Sequence, residues 1–133
     1  MIRKVFIIDD DEISLYLTSL ILESVDYAQE IHTFMTADDA FASLLQLHYS
    51  NMPEVILLDL NMPTKSGWDF LDMLSMYEEK LQNKTCIYIL TSSIAECDKS
   101  KSETYPLVNG FLHKPLDEDS LDLIARTCPR DRD

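Results

Sequence analysis

Five short apolar runs, each followed by a segment with helical character, constrain the fold of this chain most strongly. The runs are too short for buried helices and are therefore interpreted as strands, over residues 4–8, 31–34, 55–58, 86–90 and 110–113. Because they lack polar alternation, we expect both faces of the sheet to be covered. Strands that alternate with amphipathic helices indicate parallel βαβ units. Five such units with right-handed crossovers predict an open, doubly wound α/β sheet.

Five helices are expected between and after these strands. The first, over residues 13–24, carries an apolar stripe at Ile13, Leu17, Leu20 and Ile21. Asp11 with Glu12 is interpreted as its start, since acids favour the positive end of the helix dipole. The remaining helices are expected in four places: after a capping box at Thr36 and Asp39, from Ser66 to about residue 77, around 95–102, and from Asp117.

Length and charge limit the class of protein. The chain of 133 residues, 46% of them hydrophobic, suits one domain, which we place at 1–126 before a polar tail at 127–133. A net charge of −13, from 24 acids against 11 bases, is expected to repel nucleic acid and anionic membranes. The apolar run near the N-terminus is too short for a signal peptide or a membrane span, so the expected location is cytoplasmic.

The three cysteines do not suggest a cross-linked scaffold. Cys86, Cys97 and Cys128 are an odd number without paired spacing. Cys86 begins an apolar run, and we expect it to be a small free thiol in the core. Neither a disulfide nor a structural metal is expected to be needed for folding.

Polar side chains follow four of the predicted strands directly. In doubly wound sheets, ligands bind beyond the carboxyl ends of the strands, where the strand order reverses. The side chains expected along that edge are Asp9, Asp10 and Asp11 after the first strand, Asp59 and Asn61 after the third, Thr91 after the fourth, and Lys114 with Pro115 after the fifth.

Three carboxylates brought together repel one another, and a divalent cation relieves that repulsion. Mg²⁺ prefers oxygen ligands and typically binds one or two carboxylates together with a phosphate oxygen, and Mn²⁺ is the alternative ion. Asp10 and Asp59 fit as direct ligands, and Asp9 fits through a water molecule. The backbone carbonyl of Asn61 fits as a further ligand.

A carboxylate can also attack phosphorus and form an acyl phosphate. The transition state spreads charge over three oxygens, so catalysis consists mainly of positioning and charge neutralisation. The Lys114 ammonium and the Thr91 hydroxyl are suited to two of those oxygens, and the metal ion to the third. The residues therefore predict a magnesium-dependent phospho-acceptor with Asp59 as the nucleophile.

The sequence resembles the receiver domain of two-component response regulators over about residues 3–126. The matching motifs are Ile7-Ile8-Asp9-Asp10-Asp11, Ile56-Leu57-Leu58-Asp59-Leu60-Asn61-Met62-Pro63 followed by Gly67, Ile89-Leu90-Thr91-Ser92-Ser93, and Phe111-Leu112-His113-Lys114-Pro115. The resemblance implies a flavodoxin-like sheet of order 2-1-3-4-5 flanked by five helices.

The resemblance also implies a role for each residue of the site. Asp59 would be phosphorylated beside the acid pocket of Asp9 and Asp10, and Lys114 would precede a cis peptide bond. Thr91 would be the switch hydroxyl and Phe111 the rotating aromatic, although tyrosine is usual there.

The implied function is phosphorelay signalling by a stand-alone domain. The chain would not be an enzyme, and its own reactions would be limited to self-phosphorylation from small phosphodonors and slow autodephosphorylation. The donor would be a histidine kinase or a histidine phosphotransfer protein. The output would be a separate effector protein, without nucleic acid or membrane, and the chain would be a monomer or a weak phosphorylation-dependent dimer.

Three alternative functions use the same fold. A receiver-like interaction domain that is never phosphorylated would be expected to lack Asp59, Lys114 or the acid pair, and all are present. An Asp-nucleophile phosphohydrolase usually has a second acid two residues after the nucleophile, where this chain has Asn61. A flavin-binding protein would need a phosphate loop after the first strand, where three aspartates stand instead.

Overall fold

The computed structural model describes residues 2–48, 51–60, 62, 65–81, 84–92 and 100–128. The described strands form one parallel sheet in the order β2-β1-β3-β4-β5. Their bounds are Ile2–Ile8 (β1), Ala28–Phe34 (β2), Val55–Leu58 (β3), Cys86–Thr91 (β4) and Val108–His113 (β5). The predicted doubly wound sheet and its strand order are confirmed.

Helices cover both faces of this sheet. Their bounds are Glu12–Ser24 (α1), Ala37–Gln46 (α2), Gly67–Ser75 (α3), Glu78–Leu81 (α4) and Glu118–Thr127 (α5). The predicted fourth helix falls mainly outside the described residues, of which 100–102 are helical. The third helix ends before the predicted boundary, and the short α4 was not predicted because its four residues contain a single apolar side chain, the buried Leu81.

Side-chain caps explain where the helices begin. Asp11 caps α1 by accepting a hydrogen bond from the N–H of Ile13. The Thr36 hydroxyl accepts from the N–H of Asp39, and Asp117 caps α5. Ser66 forms a complete capping box with Asp69 at α3. These caps satisfy N–H groups that have no partner within a helix, so each helix starts close to the residue that the sequence indicates.

Alternation along the strands divides the core into two layers. Side chains on one face of the sheet pack beneath α2 and α3: Phe6, Ile8, Ile56, Leu58, Ile87 and Ile89. Side chains on the opposite face pack beneath α1 and α5: Val5, Ile7, Val55, Leu57, Tyr88 and Leu90. All four residues of β3 are buried, as expected for a central strand covered on both faces.

Helix α1 has two apolar faces. Its buried residues are Leu15, Thr18 and Leu22. The predicted stripe lies mainly on the opposite side, with Ile13, Leu17 and Leu20 exposed together with Tyr16. The stripe therefore predicted the helix correctly but marks its solvent-facing side. Among the described helices, none combines the length and apolar content needed to cross a bilayer.

The prediction of a free thiol at Cys86 is wrong. Cys86 forms a disulfide with Cys128, 42 residues further along the chain, and their Cα atoms are 5.8 Å apart. Cysteine spacing could not show this pairing, because it depends on the packing of α5 against β4. Two residues of the predicted tail belong to the folded domain: Thr127 is the last residue of α5, and Cys128 is buried. Residues 129–133 lie outside the described part.

Candidate functional site: an acidic pocket at the carboxyl edge of the sheet

The carboxyl ends of β1 and β3 bring two aspartates together. Ile8, the last residue of β1, is in register with Leu58, the last residue of β3. Asp9 and Asp59 follow these residues directly, and the N–H of Asp59 donates to the carbonyl of Ile8 over 2.9 Å. The register of the two strands therefore fixes both aspartates at one edge of the sheet.

Asp9 is the more enclosed of these two aspartates, with 3% of its surface exposed. Its Oδ2 accepts a 2.7 Å hydrogen bond from Lys114, and its Oδ1 accepts from the N–H of Asp11. Burial raises the pKa of Asp9, but hydrogen bonds from Lys114, Ser14 and the Asp11 N–H, with the charge of Lys114, together hold it below its usual value. Asp9 is therefore kept as a carboxylate.

Asp10 completes a group of three carboxylates. One oxygen from each of Asp9, Asp10 and Asp59 lies within 4.8 Å of the others. Lys114 is 2.7 Å from Oδ2 of Asp9 and 4.0 Å from Oδ1 of Asp59, so one ammonium lies against two of the three carboxylates. The formal charge of these four ionised side chains is −2, which suits a divalent cation with oxygen ligands.

Thr91 and Lys114 are joined through the backbone. Thr91 ends β4 and is 1% exposed. Its carbonyl accepts a 2.8 Å hydrogen bond from the N–H of Lys114, which follows β5. The Lys114–Pro115 peptide bond is cis, as predicted. Phe111 is half-buried and packs against the core on the side of α2 and α3.

The predicted ligand Asn61 lies outside the described residues. Two residues that contribute to the site were not assigned a role from the sequence. Ser14, in the first turn of α1, helps to lower the pKa of Asp9 through its side chain. Gly67 lies so close to the backbone that follows β3 that a Cβ atom there would be 2.7 Å from the carbonyl oxygen of Asp59. The sequence could have indicated Ser14, because its hydroxyl follows Asp9 and Asp10 by about one helical turn.

Residues 5–126 match the response regulator receiver domain family, and the chain belongs to that family. Members of the family are signalling modules of two-component systems.

Relatives of known description agree with this assignment. The hybrid signal transduction histidine kinase C of Dictyostelium discoideum is 30% identical over 127 residues, which are 92% of this chain and 10% of that protein. The transcriptional regulatory protein HptR of Staphylococcus aureus is 31% identical over 123 residues, 91% of this chain and 44% of that protein. The chain thus spans less than half the length of these relatives.

Solved structures show the same architecture. A two-component response regulator from Cytophaga hutchinsonii is 29% identical with a TM-score of 0.87, covering 95% of this chain and 96% of its own. A response regulator receiver protein from Dyadobacter fermentans is 26% identical with a TM-score of 0.85, covering 96% of this chain and 98% of its own.

Proposed function

We propose that this chain, as a receiver domain over residues 1–126, accepts a phosphoryl group on Asp59 and thereby switches its binding to partner proteins. The observation that carries the proposal is the grouping of Asp9, Asp10 and Asp59, with Lys114 within 4.0 Å of Asp9 and Asp59. An Asp59 oxygen attacks phosphorus, and the bond from phosphorus to the donor breaks. The product is an aspartyl phosphate, and the leaving group keeps the electron pair of the broken bond.

Asp9, Asp10 and Asp59 fit a divalent ion, because their oxygens converge and their charge exceeds that of Lys114. We propose Mg²⁺, with Mn²⁺ as a substitute, held by Asp10 and Asp59, by Asp9 through water, and by the Asn61 carbonyl. When bound, the ion supplies neutralising charge for the carboxylates and for a phosphoryl oxygen.

Lys114 and Thr91 complete the proposed chemistry. The Lys114 ammonium, already 4.0 Å from Asp59, supplies a fixed positive charge where charge develops on a phosphoryl oxygen. The Thr91 hydroxyl moves toward the phosphorylated Asp59, and the half-buried Phe111 follows that movement. Because Thr91 and Lys114 share a backbone hydrogen bond, a change at the phosphoryl group reaches β4 and β5 together.

The proposed donor is a histidine kinase or a histidine phosphotransfer protein, in line with the hybrid histidine kinases among the relatives. The exposed apolar side of α1 supports this proposal. Ile13, Tyr16, Leu17 and Leu20 have the spacing with which a helix packs against another helix. An adjoining apolar groove of about 240 Å³ extends from Ile13 and Leu17 to Lys114, so a helix docked on α1 can present a phosphohistidine to Asp59.

The output we propose is a separate effector protein that binds the surface formed by β5, α5 and the residues before β5. The proposed setting is the cytoplasm, with the chain a monomer or a weak dimer when phosphorylated. Phosphorylation shifts the populations of two existing conformations, and the effector binds one of them more tightly.

Intact-protein mass spectrometry after incubation with acetyl phosphate tests the proposal, with and without Mg²⁺. We expect one added phosphoryl mass that requires Mg²⁺, is lost in Asp59→Asn, and persists in Asp122→Asn. The last variant makes the same substitution at an exposed aspartate on α5. Absence of the added mass, with Mg²⁺ binding verified and rapid turnover excluded, would overturn the proposal in favour of a phosphorylation-independent interaction domain.

A further inference from the structure

The disulfide between Cys86 and Cys128 lies at the end of the sheet away from the acidic pocket. Cys86 is the first residue of β4, whereas Thr91, at the pocket, is the last. They are five residues apart along the strand, or roughly 16–17 Å. Cys128 follows α5 directly, so the disulfide ties the end of α5 to the start of β4. The chemistry at Asp59 makes no use of this bond.

The two cysteines differ in their position relative to a cavity at this end of the sheet. Cys128 lines an open cavity of about 280 Å³ between the end of α1 and the end of α5, with walls formed by Ile2, Val25, Asp26, Tyr27, Ile124 and Ala125. Both cysteines are buried, with 4% of Cys86 and 8% of Cys128 exposed, and Cys86 is not among the lining residues. A small thiol that enters the cavity therefore meets Cys128 first.

We propose that Cys86 and Cys128 form a reversible thiol–disulfide couple that exchanges with low-molecular-weight thiols through this cavity and fastens the end of α5 to β4. The cytoplasmic setting of the proposed function supports a regulatory use, because disulfides in reducing compartments are usually transient or redox-sensing. The exchange chemistry itself does not depend on phosphorylation.

Reduction of the disulfide by exchange consumes two small thiols and produces one small-molecule disulfide. A thiolate attacks Sγ of Cys128, the disulfide breaks, and Cys86 leaves as a thiolate that takes a proton from water. A second small thiolate then attacks the mixed disulfide at the sulfur of the first small thiol. It releases Cys128 and forms a small-molecule disulfide. In the opposite direction, an oxidised small disulfide such as oxidised glutathione accepts the two electrons and restores the Cys86–Cys128 bond.

Reduction is expected to act on the end of α5 and not on the phospho-acceptor site. Without the disulfide, the end of α5 keeps the hydrogen bond between the Tyr88 and Thr127 hydroxyls and the burial of Ile124. These are non-covalent contacts that open and close, so the last turn of α5 becomes easier to unfold locally. Asp59 has its own contacts at the other end of the strands, and its environment stays the same.

The test uses the full chain with Cys97→Ser, so that Cys86 and Cys128 are the only cysteines that can be alkylated. The folded protein is equilibrated in buffers of graded reduced and oxidised glutathione, free thiols are alkylated, and the intact mass is measured. We expect a reversible transition between no alkylated and two alkylated cysteines under native conditions. The oxidised form is expected to have a higher Tm, by roughly 5–15 °C.

Two single-cysteine variants test the order of reaction in the same background. With Cys86→Ala, the remaining Cys128 should form a mixed disulfide with glutathione. With Cys128→Ala, the remaining Cys86 should react at least tenfold more slowly in the folded protein. Hydrogen exchange should increase at the end of α5 on reduction, while the rate of phosphorylation by acetyl phosphate changes less than twofold.

Several results would overturn the proposal. One is a pair that stays oxidised in excess thiol until the protein unfolds, and another is a pair that never forms the bond in oxidising buffer. Faster reaction at Cys86 than at Cys128 would exclude entry through the cavity. A large change in the phosphorylation rate would show that the effect is not confined to α5. Each result is separable from failure of Asp59 phosphorylation, which leaves the thiol measurements unaffected.

Discussion

The ammonium of Lys114 donates a 2.7 Å hydrogen bond to the carboxylate of Asp9, across 105 residues of sequence. The two residues meet because β1 and β5 both end at the same edge of the parallel sheet. The same ammonium lies 4.0 Å from Asp59, so it already faces the proposed phospho-acceptor while it holds Asp9 in its charged form.

Lys114→Gln should slow phosphorylation by acetyl phosphate by roughly 100-fold, the size of effect seen when one fixed donor to a developing charge is removed. Glutamine retains a hydrogen-bond donor but has no charge. Because Asp9 loses its cation, its pKa should also rise. Phosphorylation rates from time-resolved intact mass test this expectation.

Lys101→Gln is the control for Lys114→Gln. Lys101 is exposed and lies over the Trp68 ring, 4.8 Å from its centroid. Its removal should leave the phosphorylation rate within twofold of wild type. Equal loss in both variants would mean that overall charge, rather than the position of Lys114, sets the rate.

Mg²⁺ should stabilise the folded protein through the three carboxylates, independently of any phosphodonor. A ligand that binds only the folded state raises the free energy of unfolding by about 1.4 kcal/mol at ten times its Kd. Urea unfolding with MgCl₂ and with EDTA should show this increase for wild type and for Asp122→Asn. In Asp10→Asn the increase should largely disappear. An undiminished increase in Asp10→Asn would place the ion elsewhere.

Much of the fold and of the candidate site could be predicted because both depend on local pattern. A run such as Val55–Leu58 has no polar residue to face solvent, so it indicates a central strand, and the structure buries all four residues. Once the strands are parallel, the residues after them must gather at one edge. The juxtaposition of Asp9, Asp59 and Lys114 therefore follows from topology.

Other features depend on tertiary packing that local pattern does not contain. The apolar stripe of α1 identified a helix, but only the docked position shows that Leu17 faces solvent while Leu15 and Leu22 are buried. The pairing of Cys86 with Cys128 likewise requires knowing where α5 ends relative to β4.

Gly67→Ala should destabilise the protein and displace the backbone of Asp59 and Leu60. An added Cβ would lie 2.7 Å from the Asp59 carbonyl oxygen and 3.0 Å from Cα of Leu60, and both of these atoms are backbone. Backbone cannot move aside as a flexible side chain can, so we expect a loss of about 1–3 kcal/mol in the free energy of unfolding. Chemical denaturation measures it.

Gly110→Ala is the matched control for Gly67→Ala. Its Cβ would meet the Tyr88 ring at 3.3 Å, a side-chain contact that requires a shift of only a few tenths of an ångström. Its loss of stability should be clearly smaller than that of Gly67→Ala. A larger loss at Gly110 than at Gly67 would contradict the backbone-contact argument.

Tyr105 should remain protonated well above the usual range for tyrosine. Its hydroxyl donates a 2.7 Å hydrogen bond to Asp72. That bond first, then burial, then the negative charges of Asp72 and Asp69 raise its pKa to about 12. Because the folded pKa is raised, the stabilisation from this contact is fully present below about pH 10, the unfolded value, and is lost as pH rises toward 12.

Tyr105→Phe tests this through tyrosinate absorbance. At about pH 10.5, wild type and Tyr105→Phe should absorb equally, because Tyr105 is still neutral there, and a difference should develop only toward pH 12. A tyrosine with an ordinary pKa would already contribute more than half of its tyrosinate absorbance at that first pH. A clear difference between wild type and Tyr105→Phe already at about pH 10.5 would mean that the Asp72 hydrogen bond does not hold the Tyr105 proton.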